Sequence, residues 1–312
     1  MWNYHFRVTL SVVIITFNEE ANLPRTLESV KWADEIVVVD SGSTDRTVEI
    51  AKSYGAKVWV EPWKGFAAQK NSALEKAACD WVLSLDADEE VSPQLTMQIS
   101  MVVDKIPFSE AHADVLVQMD PTEAQRMISN RHDDALDPDE QRLALEDLAA
   151  DARSASAFWV PRKNIFLGRF IQHGGFYPDE KLRLFRRGSA KFEMRLVHED
   201  IVFAGPAKHL SAPIVHHAYP TLSSYIEHMN RYSSLGAEMA ASKGKRGFSL
   251  TNIVLRPWLT FVYNYIFRLG FLDGREGFLL HLYHAVYVSW KYAKLWELTR
   301  DKKASASSSS QN

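Results

Sequence analysis

The sequence predicts an α/β fold, a mostly parallel central sheet flanked by helices, with a C-terminal helical extension. Three observations predict it. The first hundred residues alternate β-branched apolar runs with helix-spaced segments. Those runs are apolar throughout rather than alternating, as expected of strands covered on both faces. From Thr221 onward the chain turns helical and aromatic. With 312 residues, 46% of them hydrophobic and 24% charged, it has ample material for a core.

The elements follow in order. Residues 11–16 (SVVIIT) form a first strand, and residues 22–30 carry helix spacing with Pro24 near the start. Residues 35–39 (EIVVV) are a second buried strand ending at Asp40, and Ser43, Thr44 and Asp45 offer capping side chains to a helix reaching Tyr54. A short strand at 57–60, a helix at 67–78 and a strand at 81–85 ending at Asp86 complete the alternation. Open parallel sheets bind ligands at the carboxyl ends of their strands, where Asn18, Asp40 and Asp86 all fall. Residues 104–157 break the pattern as an acidic insertion, with an exposed amphipathic helix over 139–152. Strand character resumes at 158–161 and alternates strongly at 181–187 (KLRLFRR). The domains read as 9–235 (catalytic, interrupted by the insertion), 236–300 (aromatic and basic helices) and 301–312, a Ser/Ala-rich tail expected to be disordered.

The net charge of -3 conceals an asymmetry: residues 1–103 carry -6, residues 104–157 carry -8 and residues 158–312 carry +11. The total excludes a generally basic nucleic-acid binder, while the split points to a charged surface or ligand. The single cysteine, Cys79, excludes a disulfide framework and a cysteine-based zinc site, and suits a reducing compartment. The residues before the first strand lack a signal-peptide pattern, and no uncharged apolar stretch approaches the roughly 20 residues of a spanning helix. A cytoplasmic protein, soluble or surface-attached, is expected.

Two segments carry chemistry. Asp40-Ser-Gly-Ser-Thr-Asp45 follows a buried strand and opens a helix, so Asp40 reads either as an acceptor for a base or ribose or as part of a strand–turn–helix connection. No GxGxxG supports a dinucleotide loop, which disfavours an NAD(P) oxidoreductase. Asp86-Ala-Asp88-Glu89-Glu90 directly follows an apolar strand. Alternating carboxylates there suit Mg²⁺ or Mn²⁺, which prefer carboxylate oxygens and share coordination with a substrate diphosphate. An acidic turn without ligand is the plain alternative. With Asp40 on a neighbouring strand end, the ligand reading prevails.

The runs SVVIITFNEEANLPRTLESV, EIVVVDSGSTDRT, GFAAQKNSAL and WVLSLDADEEV, in that order, resemble glycosyltransferase family 2, the inverting enzymes of GT-A fold. The later KLRLFRR, RLVHED and IVHHAYPTLSSYIEHMNRYS resemble its lipopolysaccharide-core β-1,4-glucosyltransferase-like branch. The likeness covers residues 9–103 and 158–235; the insertion lies outside it. It implies that the strand-end segment from Thr16 to Glu20, Glu20 especially, walls the nucleotide pocket. It also implies that Asp40 recognises the uracil side, and that Lys70, flanked by Gly65 and Asn71, lies near the nucleotide. Asp86 and Asp88 match the DxD-like motif, with Asp88 as direct metal ligand and Asp86 nearer the ribose. The family's acidic base matches within His198-Glu199-Asp200, as Glu199 first and Asp200 second.

Chemistry agrees with that arrangement. In-line displacement at an anomeric carbon needs a carboxylate to take the acceptor's proton and positive charge to stabilise the departing diphosphate. His216 can complete a metal site or serve as a structural histidine. Asp179, Arg183 and Arg186 can meet an acceptor bearing phosphate or acidic sugars, or be exposed positions of an alternating strand. The aromatic and basic helices after 236 can lie in an anionic headgroup region, or cover a core or a second subunit. The expectation is a UDP-sugar-dependent hexosyltransferase, glucose being the favoured sugar, with Mg²⁺ or Mn²⁺ as cofactor. It is expected to act on a lipid-linked glycan such as lipopolysaccharide core from the inner face of the membrane, with no nucleic-acid partner and oligomerisation left open. A polyprenyl-phosphate acceptor, and a nucleotide-sugar- or carbohydrate-binding protein without catalysis, are the competing readings.

Overall fold

In the computed structural model, residues 9–103, 154–193, 201–245 and 247–309 are described, with side chains up to residue 300. The chain divides into two compact units: Met1–Arg162 with Glu180–His216, and Lys163–Asp179 with His217–Asn312.

In the first unit, apolar runs become strands β1 (Leu10–Thr16), β2 (Glu35–Asp40), β3 (Lys57–Val60) and β4 (Trp81–Asp86). All pair in parallel, in the order β3-β2-β1-β4. Helices α1 (Leu23–Val30), α2 (Thr47–Ser53) and α3 (Phe66–Lys76) connect them, and β5 (Glu89–Val91) leads into α4 (Pro93–Val102). In α1, Pro24 occupies the first turn, where its missing N–H costs nothing, and Leu23, Thr26, Leu27 and Val30 form one buried face. The Ser92 hydroxyl caps α4 by accepting from the Leu95 N–H at 3.2 Å. Core residues fill both faces of the sheet, Leu10, Val12, Ile14, Leu83 and Leu85 on one and Val13, Val37, Val39 and Val82 on the other. That is why these strands read as continuous apolar runs.

The rest of the sheet is built from distant sequence. β6 (Ala157–Phe166), β8 (Asp179–Arg186) and β12 (Ile214–Tyr219) extend it as β4-β8-β6-β12-β5, with β11 (Ala207–His209) parallel to β6. β8 runs antiparallel to β4, and β5 antiparallel to β12. β9 (Ala190–Phe192) and β10 (Ile201–Phe203) form a separate antiparallel pair. Most of the acidic insertion, residues 104–153, lies outside the described residues.

In the second unit, β7 (Arg169–Phe170) folds back on residues 165–166. Helix α5 (Leu222–Ser242), capped by Thr221, packs against the long α7 (Gly274–Ser309). Between them residues 251–267 form one continuous helical segment. Its middle, α6 (Arg256–Val262), is flanked by wider π turns at Thr251–Leu255 and Tyr263–Phe267. The expected domain boundary at 235 falls inside α5, and the backbone of α7 is helical into the Ser/Ala-rich tail expected to be disordered. Among the described residues no helix is long and apolar enough to cross a membrane. His281 lies flush against Gly174 and Gly270, where a Cβ would fall 2.0 Å and 2.3 Å from its ring. Only glycine permits that approach.

Candidate active site

Parallel register puts the carboxyl ends of three strands side by side: Thr16 lies opposite Asp40, and Ile15 opposite Asp86. The loops beyond these ends carry the polar groups, and their own hydrogen bonds explain their shape.

Asp40 is fully buried. Its Oδ1 accepts the N–H groups of Gly42 (2.9 Å) and Ser43 (2.8 Å), while Oδ2 accepts the hydroxyls of Thr16 (3.0 Å) and Ser43 (2.5 Å). Asp40 therefore organises the turn, and a ligand contact through its carboxylate would replace one of these bonds. Asn18, in the left-handed region at φ 55, ties the neighbouring loops. Its N–H donates to Ser43 Oγ, and its Oδ1 accepts from the Thr44 N–H, both at 2.8 Å. Glu20 is exposed and accepts from the Arg46 N–H at 3.2 Å. Phe17 stands at the end of β1 with 56% of its surface exposed.

The Asp86–Glu89 segment forms the charged centre. Asp86 accepts from Lys70 Nζ (2.9 Å) on one oxygen and from Arg183 Nη2 (2.7 Å) on the other. Burial opposes its charge, yet Arg183 and Lys70 hold its carboxyl well below the usual carboxylate range. Arg183 also donates to Glu89 Oε1 at 2.5 Å, and Arg162 reaches the same oxygen at 3.3 Å. Glu89 is fully buried and accepts the Asp86 N–H on its other oxygen at 3.0 Å. The Thr26 hydroxyl pins the loop by donating to the Ala87 carbonyl at 2.7 Å.

Asp88 faces His216, Oδ2 to Nε2, at 3.3 Å. Burial works against its charge, and the His216 contact more than offsets this, leaving its carboxyl below the usual value. The pairing follows from strand register, since His216 lies directly opposite Glu89 across the β5–β12 pair. Glu19, on the loop after β1, is held up by burial, against the Asn22 hydrogen bond, with the charges of Asp88, Asp45 and Asp86 adding to the rise.

The expected site residues thus separate. Lys70, Asp86, Asp88, Arg183 and His216 gather in the first unit, by direct pairs or along the Asp86–Glu89 segment. Asn71 acts instead on the backbone: its amide donates to the Phe192 carbonyl and accepts the Phe192 N–H, both at 2.9 Å. That clamp holds the Phe192 ring 5.3 Å from Lys70 Nζ. Arg183, expected among the acceptor contacts, is instead buried against the carboxylates. Arg186 lies opposite Trp81 at the far end of β4, stacked on its ring at 4.7 Å, and is not brought to this centre. Asp179 belongs to the second unit, where it accepts from Asn164 at 3.3 Å. Glu199 and Asp200 lie outside the described residues. Glu89 and Arg162 were not singled out in the sequence; the acidic run hinted at Glu89, and nothing local signals Arg162.

Asp88 and His216 offer one oxygen and one nitrogen donor, a set that fits a divalent cation whose other ligands come from substrate and water. Among the described residues no group of three or more His, Cys, Asp or Glu is arranged to hold a metal. Both oxygens of Asp86 are engaged by cations.

A parallel sheet ending in carboxylates, followed by an antiparallel extension that supplies a buried arginine and a histidine, is here the framework of a glycosyltransferase. The chain belongs to the glycosyl transferase family 2, whose family model matches residues 11–192. It is 29% identical over 299 residues, covering 93% of both chains, to the lipopolysaccharide core biosynthesis glycosyltransferase LpsC of Rhizobium meliloti. An uncharacterized glycosyltransferase of Rickettsia typhi is 30% identical over 293 residues, 93% of this chain and 87% of that one. Glucosyl-3-phosphoglycerate synthase from Mycobacterium tuberculosis, solved with Mn²⁺, UDP and glucosyl-3-phosphoglycerate, matches 30% of this chain and 38% of its own. That match has 30% identity and a TM-score of 0.27.

Proposed function

We propose that this glycosyltransferase moves a hexose, glucose being the favoured sugar, from a UDP-sugar to a lipid-linked glycan such as lipopolysaccharide core, with inversion. The observation that carries the reading is the carboxylate pair at the end of β4: Asp86 engaged by Lys70 and Arg183, Asp88 facing His216. The similarity to LpsC over 93% of the chain supports the choice of acceptor class.

The chain's own groups divide the work. Phe17 offers an exposed ring at the strand end against which a base can stack, with Thr16, Asp40 and Glu20 shaping the adjoining loops. Lys70 and Arg183 orient Asp86 toward the ribose side of the donor. Asp88 and His216 would hold Mg²⁺ or Mn²⁺, which supplies positive charge beside the leaving diphosphate. Glu199, or failing it Asp200, takes the proton of the acceptor hydroxyl. The acceptor oxygen bonds to the anomeric carbon as the bond from that carbon to the diphosphate oxygen breaks on the opposite face. Phe192 and Ile201, which bracket this acidic segment, pair with each other, and the Phe192 ring lies beside Lys70. This supports bringing the base to the carboxylates.

The test is a screen of UDP-sugars for hydrolysis and transfer, with and without Mg²⁺ or Mn²⁺. Glu199→Gln is expected to abolish transfer while UDP binding persists; full activity of that variant removes the assignment. Binding of UDP-sugar without hydrolysis or transfer under any metal would favour a non-catalytic binding protein. Transfer to a polyprenyl phosphate but not to core glycan would move the acceptor to that class.

A further inference from the structure

The second unit carries, among the described residues, a large set of exposed apolar side chains. Among the described residues, 15 of the 21 exposed large apolar side chains follow residue 247. Single exposed apolar residues need no explanation, whereas a contiguous set marks an interaction surface.

The set is ordered. Leu250, Val254, the adjacent Trp258 and Leu259, Tyr263 and Phe267 recur at steps of four or five residues along residues 250–267, all between 49% and 76% exposed. On an ordinary α-helix a row spaced by four drifts steadily around the axis. The wider π turns at Thr251–Leu255 and Tyr263–Phe267 turn it back, so the row stays on one side. The segment ends in a corner where Leu269 adopts the left-handed conformation at φ 59. A leucine is costly there, and this one keeps 46% of its surface exposed rather than burying it. Phe271 and Leu272 extend the same tip.

Charge identifies the occupant. From Met239 to Leu272 the sequence holds five cations (Lys243, Lys245, Arg246, Arg256 and Arg268) and no carboxylate. The next acid, Asp273, is buried and accepts from the His173 N–H at 2.8 Å and the Gln172 N–H at 3.2 Å. Glu276 faces Arg169 at 3.8 Å. A segment of exposed Leu, Phe, Trp and Tyr whose only charges are cations complements an anionic bilayer, whose interface takes apolar and aromatic side chains while its headgroups pair with arginine. A second copy presenting the same face would bring like charges together.

We infer that residues 250–272 are a membrane-interface anchor that inserts its Leu250–Phe267 row and Leu269–Leu272 tip into an anionic leaflet. This deepens the lipid-linked-acceptor reading, because it names the surface by which the enzyme would meet an acceptor embedded in a bilayer.

The test is flotation of the full chain with vesicles of phosphatidylcholine alone or with phosphatidylglycerol added, without donor or acceptor. Binding to the anionic vesicles, at least tenfold stronger than to neutral ones, is expected. Phe267→Glu and Leu250→Glu, at exposed positions outside the catalytic centre, should each weaken it at least tenfold while thermal unfolding and donor hydrolysis in solution stay unchanged. No partitioning onto anionic vesicles overturns the proposal, and equal binding to neutral ones overturns its charge component. Concentration-dependent dimerisation abolished by Phe267→Glu would give the face to a second copy. Donor hydrolysis needs no lipid, so loss of hydrolysis with vesicle binding retained breaks the functional reading alone, and the converse breaks the anchor alone.

Discussion

The two units treat charge and apolar surface in opposite ways. The first buries charged groups and matches nearly all of them: Arg183 between Asp86 and Glu89, Lys70 on Asp86, Lys57 on Glu35 at 2.7 Å. The second leaves Leu, Phe and Trp in the open along residues 250–272, where Arg256 and Arg268 are the accompanying charges. A buried ion is retained at a cost unless partners surround it, and exposed apolar surface is retained at a cost unless something covers it. The first arrangement is complete within the chain and suits a preorganised polar centre. The second, among the described residues, keeps its apolar row exposed, which is the surface the proposed anchor would use. Each contrast can be broken by experiment.

The largest effect is expected at the centre of the charge network. Arg183→Met leaves the fully buried Glu89 and the half-buried Asp86 with fewer partners, and removal of one member of a buried pair costs about 3–5 kcal/mol. Chemical denaturation should show it; a loss below about 1 kcal/mol would mean that Lys70 and Arg162 suffice to compensate the two carboxylates. Next comes a pH effect in the second unit. Burial, with His284 adding, pushes the His281 imidazole down to about 4 from 6.5, against the charge of Asp273. A depressed histidine stabilises the fold above the unfolded pKa of 6.5, and that stability is lost as pH falls from 6.5 toward about 4, by about 3 kcal/mol in total. Thermal unfolding between pH 7 and 4 measures it, and His281→Phe should flatten the dependence.

Smaller effects probe how the centre is assembled. Asp88→Asn should lower metal-dependent turnover by about 100-fold, the scale of removing one electrostatic stabiliser, with unfolding little changed. Undiminished turnover at saturating Mn²⁺ would take Asp88 out of the metal role. Asn71→Ala removes two hydrogen bonds to the Phe192 backbone and should cost about 1–3 kcal/mol while raising the KM for donor more than it lowers kcat. Were only stability to fall, the clamp would be structural and Lys70 would hold its position without it.

Much of this was legible locally. The parallel strands β1 to β4 were readable because each is an apolar run with few interruptions, and the carboxylates at their ends stand out against such runs. Asp86 and Asp88 declared themselves as charges where the periodicity allowed none. Other features had no local signal. β5 is three residues inside an acidic run and reads as a turn; it is a strand only because Ile214–His216 arrives to pair with it. Arg183 and Arg186 look alike within KLRLFRR, and only the antiparallel register of β8 on β4 sends one to the carboxylates and the other to Trp81. Asp40 had two readings, and the turn that it accepts from accounts for both of its oxygens.

What the sequence determined alone was the strand–helix alternation, the family, the carboxylates of the β4 end and the charge asymmetry, because each is read from residue types and their order along the chain and needs no contact between distant residues. What only the tertiary structure decided was pairing: His216 with Asp88, Arg183 with Asp86 and Glu89, Asn71 with Phe192, and the outward stripe of 250–272. Hydrogen bonds and ion pairs between residues far apart in the chain depend on strand register and helix rotation, and neither is written in any local run of residues.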